Sequence, residues 1–171
     1  SPDEQVALLE ASIGGQCGVV VDISSRFLFE SRAFEARKRR ELSVDDLNNL
    51  MLDAQRETYG DAVDERQLHP YMWAVKPHYY STWHSFYNFP YMFGSLFGLG
   101  LYSRYVDDPE RFIARYDDLL SSTGRADAAD LAARFGIDVR SPAFWHASFD
   151  LIRADIDQFE RFVAGSQTVN G

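Results

Sequence analysis

The chain has 171 residues, one domain's worth or one large piece of a bigger protein. Its 46% hydrophobic and 25% charged residues suffice for a core and exclude long-range disorder. Twenty-six acidic against 17 basic residues leave a net charge of −9. With only Lys38 and Lys76 as lysines, such a surface argues against nucleic-acid phosphates and anionic membranes as partners.

Cys17, the single cysteine, excludes an intrachain disulfide and a cysteine-based zinc cluster, and fits a reducing, cytoplasmic compartment. The longest apolar run, Phe93 to Tyr102, is too short and too glycine-rich to span a bilayer. No signal-peptide pattern opens the chain, although Ser1 need not be the native start.

In chain order, Ser1-Pro2-Asp3-Glu4 has the outline of a capping box. Val6, Ile13, Val20, Phe27 and Phe34 then recur at heptad spacing, which predicts one helix reaching about Arg39. Unbroken, it would be roughly 50 Å long, more than a compact domain of this size accommodates. Gly14, Gly15 and Gly18 either interrupt it or allow a neighbour to pack closely. The run Arg37-Lys38-Arg39-Arg40 suits a helix C-terminus.

Ser43 opens a second helix that Gly60 ends. From Asp61 to Ser85 periodicity fails, and Pro70 and Pro77 mark an aromatic-rich connection. Asn88 caps the next helix, with Phe93, Leu96, Phe97, Gly100 and Leu101 as its buried stripe and glycines that permit close packing. Asp108-Pro109, Asp127 and Ser141-Pro142 start three more helices, and 163–171 reads as a frayed tail. The expectation is an all-α, multi-helix single piece over 1–171, with no linker.

The chemistry concentrates between His69 and Tyr105, which hold three of the four histidines and 13 of the chain's 25 aromatic residues. The plain reading is an aromatic core beneath a long connection. Against it, Tyr79, Tyr80, Tyr87 and Tyr91 carry hydroxyls that need partners if buried, and the segment is stiffened by prolines. Tyrosine and neutral histidine both donate to a developing oxyanion. None of the histidines begins an H-E-x-x-H motif, and His78 and His84 would lie about 240° apart on an ideal helix, so no metal site is expected in this chain. Phosphate-loop and nucleophile-elbow motifs are absent.

The runs HPYMW (His69 to Trp73), KPHYY (Lys76 to Tyr80) and FYNFPYMFGSLFGLGLY (Phe86 to Tyr102) resemble the C-terminal part of the oligoendopeptidase F group, in the thimet oligopeptidase family of zinc metallopeptidases. DISSRFLFE (Asp22 to Glu30) and QRETYG (Gln55 to Gly60) are similar to its patterns in the same order, as is Phe135-Gly136-Ile137-Asp138 with Phe144-Trp145. The resemblance runs from about Leu8 to Phe162.

It implies a zinc-dependent endopeptidase of short peptides, in which an H-E-x-x-H helix and a later glutamate hold the metal. This chain lacks both segments, which would precede Ser1; the resemblance therefore implies a C-terminal fragment, inactive alone, with zinc held by the upstream part of the polypeptide. By motif position, His78, Tyr87 and Tyr91 match the family's substrate-binding and oxyanion-stabilising residues, Tyr91 being the preferred phenol donor and Tyr80 a further substrate contact. His84 has no counterpart. The alternatives are a non-catalytic helical module binding a peptide or small molecule in an aromatic pocket, and a purely structural domain. Oligomeric state, a homo-oligomer included, is left open.

Overall fold

The computed structural model describes residues 2–169, and they are all-α, with no strand among them. The helices are α1 (Pro2–Cys17), α2 (Ile23–Arg37), α3 (Val44–Tyr59), α4 (Phe89–Asp107), α5 (Pro109–Ser121), α6 (Ala128–Arg134) and α7 (Pro142–Val169). Ser1, and with it the hydroxyl expected to cap α1, lies outside the described residues.

The three early glycines do not end the first helix. Gly18–Asp22 forms a π-helical segment that joins α1 to α2, and helix continues to Arg37. Open space surrounds Gly14, Gly15 and Gly18, so no neighbour packs against them among the described residues. By length and composition, Asp3–Arg37 is apolar enough to cross a membrane, and its apolar window has no buried residue. Scanning for one contiguous run overlooks this, because the hydropathy is spread over many small residues.

Two compact units make up the chain: residues 14–93, and the residues up to Ile13 together with those from Gly94 onward. Their boundaries fall inside α1 and α4 rather than in linkers.

In the 14–93 unit, Phe29 and Ala33 of α2 pack with Met51 and Ala54 of α3, joined by Leu47, Leu50 and Trp73. Full burial of Met51 is worth about 1.5–3 kcal/mol. Ser43 starts α3 with a complete capping box: its Oγ accepts from Asp46 N at 3.2 Å, and Asp46 Oδ2 accepts from Ser43 N at 2.8 Å. Arg40 grips the same carboxylate through both terminal nitrogens at 2.7 and 2.8 Å. That guanidinium, with the two Ser43 donors, holds the Asp46 carboxyl well below the usual carboxylate range. The basic run thus also ties α2's end to α3's start.

In the other unit, Ala132, Ile137 and Phe144 form a small core with Phe97, Leu101, Phe135 and Trp145. Ser148 Oγ donates to Leu96 O at 2.7 Å, and Ser12 of α1 donates to Asp155 of α7 at 3.3 Å. Of the α4 glycines, only Gly100 serves close packing; Gly94 and Gly98 face open space. Phe93, placed in the α4 stripe by periodicity, is exposed. The tail expected to fray from Val163 is helical through Val169, and residues 170–171 lie outside the described ones.

Candidate active site

The aperiodic segment after α3 is ordered by polar clasps rather than by regular structure. Gln55, 1% exposed, donates Nε2 to His69 O at 3.0 Å and accepts from His69 N at 3.0 Å. Trp73 Nε1 donates to Asn48 Oδ1 at 2.9 Å. These bonds satisfy backbone and indole groups that a proline-rich connection leaves unpaired. Short 3₁₀ turns follow at Met72–Val75 and Pro77–Tyr79, the second with Pro77 at its start and His78 at its centre. The loop beyond closes on itself, Phe86 N donating to His78 O at 3.2 Å.

Phe86 has φ +54, an uncommon conformation for a bulky residue. Its ring is wedged against Phe34 at 4.5 Å and Tyr79 at 5.6 Å between centroids. The next residue, Tyr87, is partly exposed.

His78, Tyr87 and Tyr91 come together. The His78 and Tyr91 rings stack with centroids 6.1 Å apart and 10° between planes. Tyr87 meets Tyr91 edge-on at 6.0 Å. Tyr87 and Tyr91 are 39% and 40% exposed, so both phenols stay accessible from solvent. Tyr91 lies in the first turn of α4, as the sequence suggests. Tyr80 is 63% exposed and makes no ring contact with the trio. His84, to which the sequence assigns no part, meets Tyr87 edge-on at 5.4 Å.

Behind these rings lies a buried polar cluster that sequence reasoning does not place. Glu30 of α2 is 3% exposed and accepts from Nδ2 of Asn88, itself 1% exposed and set between Tyr87 and Tyr91 in sequence. The Asn88 amide therefore points inward to α2 instead of capping α4. Asp22 pairs with Arg26 and accepts from Tyr59 Oη at 2.7 Å. Ser24 Oγ lies 3.1 Å from Met92 Sδ, a second tie to the start of α4.

Burial pushes the Glu30 carboxyl above its ordinary range, with Asn88, Tyr79 and Arg26 pulling partly back. Tyr59 is raised to about 12 by burial and by Asp22, and Tyr79 is raised further, by burial and the nearby Glu30 charge. Arg26 Nε and Asn88 Oδ1 are buried without a hydrogen-bond partner among the described residues, and Tyr79 Oη faces the Glu30 carboxylate. The one available signal was the set of motif runs themselves: Asp22 and Glu30, Gln55 and Tyr59, His69, Tyr79 and Asn88 come from separate runs and interlock here.

Among the described residues no group of three His, Cys, Asp or Glu side chains is placed to hold a metal.

Similarity to curated proteins falls in one group, the oligoendopeptidases F, and is distant but spread over nearly the whole chain. The chain is 27% identical over 161 residues to an oligoendopeptidase F homolog of Lactococcus lactis subsp. lactis (strain IL1403), covering 94% of this chain and 26% of that protein. With the plasmid and chromosomal oligoendopeptidases F of Lactococcus lactis subsp. cremoris, identity is 27% and 26% over the same coverage. The chain thus spans about a quarter of the length of the curated relatives it matches. No family model matches the chain. No solved structure matches it either.

Proposed function

We propose that this chain forms the substrate-facing side of a zinc-dependent oligoendopeptidase that hydrolyses internal bonds of short peptides in the cytoplasm. In this reading the H-E-x-x-H segment and its metal belong to another stretch of the same polypeptide. The observation that carries it is the meeting of His78, Tyr87 and Tyr91 on one accessible face. The similarity to oligoendopeptidases F over 94% of the chain supports it, as does an exposed apolar face on α1 of the kind that further polypeptide covers.

The steps assigned to these residues are binding and hydrogen-bond donation. Tyr91 donates its phenol proton to the scissile carbonyl oxygen as negative charge gathers there, with Tyr87 as second donor. His78, stacked on Tyr91, holds that ring in place and donates to the peptide, and Tyr80 contacts substrate at the rim.

The test uses the full-length polypeptide. Tyr91→Phe should lower kcat by roughly 10²–10³ while zinc content, read by metal analysis, stays unchanged. Undiminished turnover would remove Tyr91 from the reaction. Peptide binding by a full-length protein that holds no zinc and cleaves nothing would favour the non-catalytic module instead.

A further inference from the structure

The unit that contains α5 and α6 has a cavity of about 260 Å³ that no step above uses. Three guanidinium groups line it, Arg104 from α4 and Arg111 and Arg115 from α5, together with the carboxylates of Asp107 and Asp108. Leu101, Phe112, Leu119, Phe135 and Ile137 add apolar lining.

This chain has an excess of acids, and Arg26, Arg32, Arg40, Arg56, Arg66 and Arg153 each hold a carboxylate. Arg104 and Arg111 hold none among the described residues, even with Asp107 and Asp108 at the same cavity. Asp108 is committed to the start of α5, where its Oδ1 accepts from Arg111 N at 3.1 Å. Arg115 is fixed in place: its terminal nitrogen donates to Arg134 O at 2.8 Å, and its guanidinium lies 4.9 Å from the centre of the Phe135 ring. Two uncommitted guanidiniums beside a preset third, over an aromatic wall, form a fork for a planar anion that carries an apolar body.

Size and charge narrow the ligand. An apolar cavity of about 150 Å³ accepts benzene, so 260 Å³ takes one ring and a short acid-bearing chain. Asp107 and Asp108, which line the same cavity, oppose a second negative charge and so disfavour phosphate. We propose that this cavity binds a ring-bearing monocarboxylate, presented either as a small free acid or as the C-terminal residue of a peptide.

Calorimetric titration of the full-length protein with 3-phenylpropionate, N-acetylphenylalanine and N-acetylphenylalaninamide tests this. Both acids should bind one-to-one, and the amide about ten-fold more weakly or not at all, since it offers the guanidiniums no charged acceptor. Tighter binding of N-acetylphenylalanine assigns a peptide C-terminus, and tighter binding of phenylpropionate a free acid. Arg104→Gln and Arg111→Gln should each weaken the acids about ten-fold, whereas Arg153→Gln, paired with Asp150 elsewhere on the surface, leaves them unchanged. Circular dichroism confirms that the variants fold. Equal affinity for acid and amide, the absence of saturable binding, or unchanged affinity in folded Arg104→Gln and Arg111→Gln would each overturn the proposal.

Discussion

Gly98 and Gly100 stand two residues apart in α4 and answer differently to an added methyl. A Cβ at Gly100 would meet the Phe144 ring at 2.4 Å, far inside van der Waals contact, whereas one at Gly98 meets nothing within 4 Å. Gly100→Ala should therefore destabilise the protein by about 1–3 kcal/mol through overpacking. Gly98→Ala should stabilise it by up to about 1 kcal/mol, because alanine is the better helix former. Urea unfolding of the two variants checks the pair; similar effects of one sign would contradict the packing of Phe144 on Gly100. Periodicity cannot separate these glycines, since the ring that distinguishes them comes from α7. The stretch that holds His78, Tyr87 and Tyr91 stands out in the sequence for a local reason, since prolines and tyrosines crowd it, whereas the choice of these three residues within it rests on the resemblance. His84 and Glu30 are not legible, because their meaning depends on which residues of other elements face them.

The start of α4 is held from α2, and the tie is an ionisable one. Glu30 keeps the Asn88 turn, and with it Tyr87 and Tyr91, against the α2–α3 core. Burial raises the Glu30 carboxyl above its ordinary 4.5. The folded state thus binds this proton more tightly than the unfolded one. Stability from this group is full below about 4.5 and declines as pH rises through the folded value. Glu30→Gln removes that titration while keeping an oxygen for Asn88. It should unfold at a higher temperature than the parent at pH 7, the gap closing towards pH 4. Glu30→Leu strands the Asn88 amide and should cost about 1–3 kcal/mol at both pH values. Thermal melts of the three proteins decide; a gap independent of pH would mean that Glu30 does not titrate as a buried group. Helix starts such as Asp108-Pro109 and Asp127 are readable because capping is local chemistry. The 3₁₀ turns around His78 are not, because Gln55 and Asn48 order that segment from α3.

At the scale of the molecule, the boundaries between the two units fall within helices, at Gly14 and Gly94, and no linker marks them. The structure shows an imbalance at this scale between apolar content and cover. Leu8 is 72% exposed, and the apolar window of the helix from Asp3 has no buried residue. A bare apolar face this long is unusual for a self-sufficient soluble domain, and the relatives are about four times the length of the stretch matched. Leu8→Lys separates the two situations. On a bare surface the change stays within about 0.5 kcal/mol. Under a covering segment it removes a buried leucine and strands a charge, costing about 2–3 kcal/mol or more. Chemical unfolding should therefore show the small effect in the 171-residue chain and the large one in the full-length polypeptide. Equal small effects in both would mean that no part of the longer protein packs on α1.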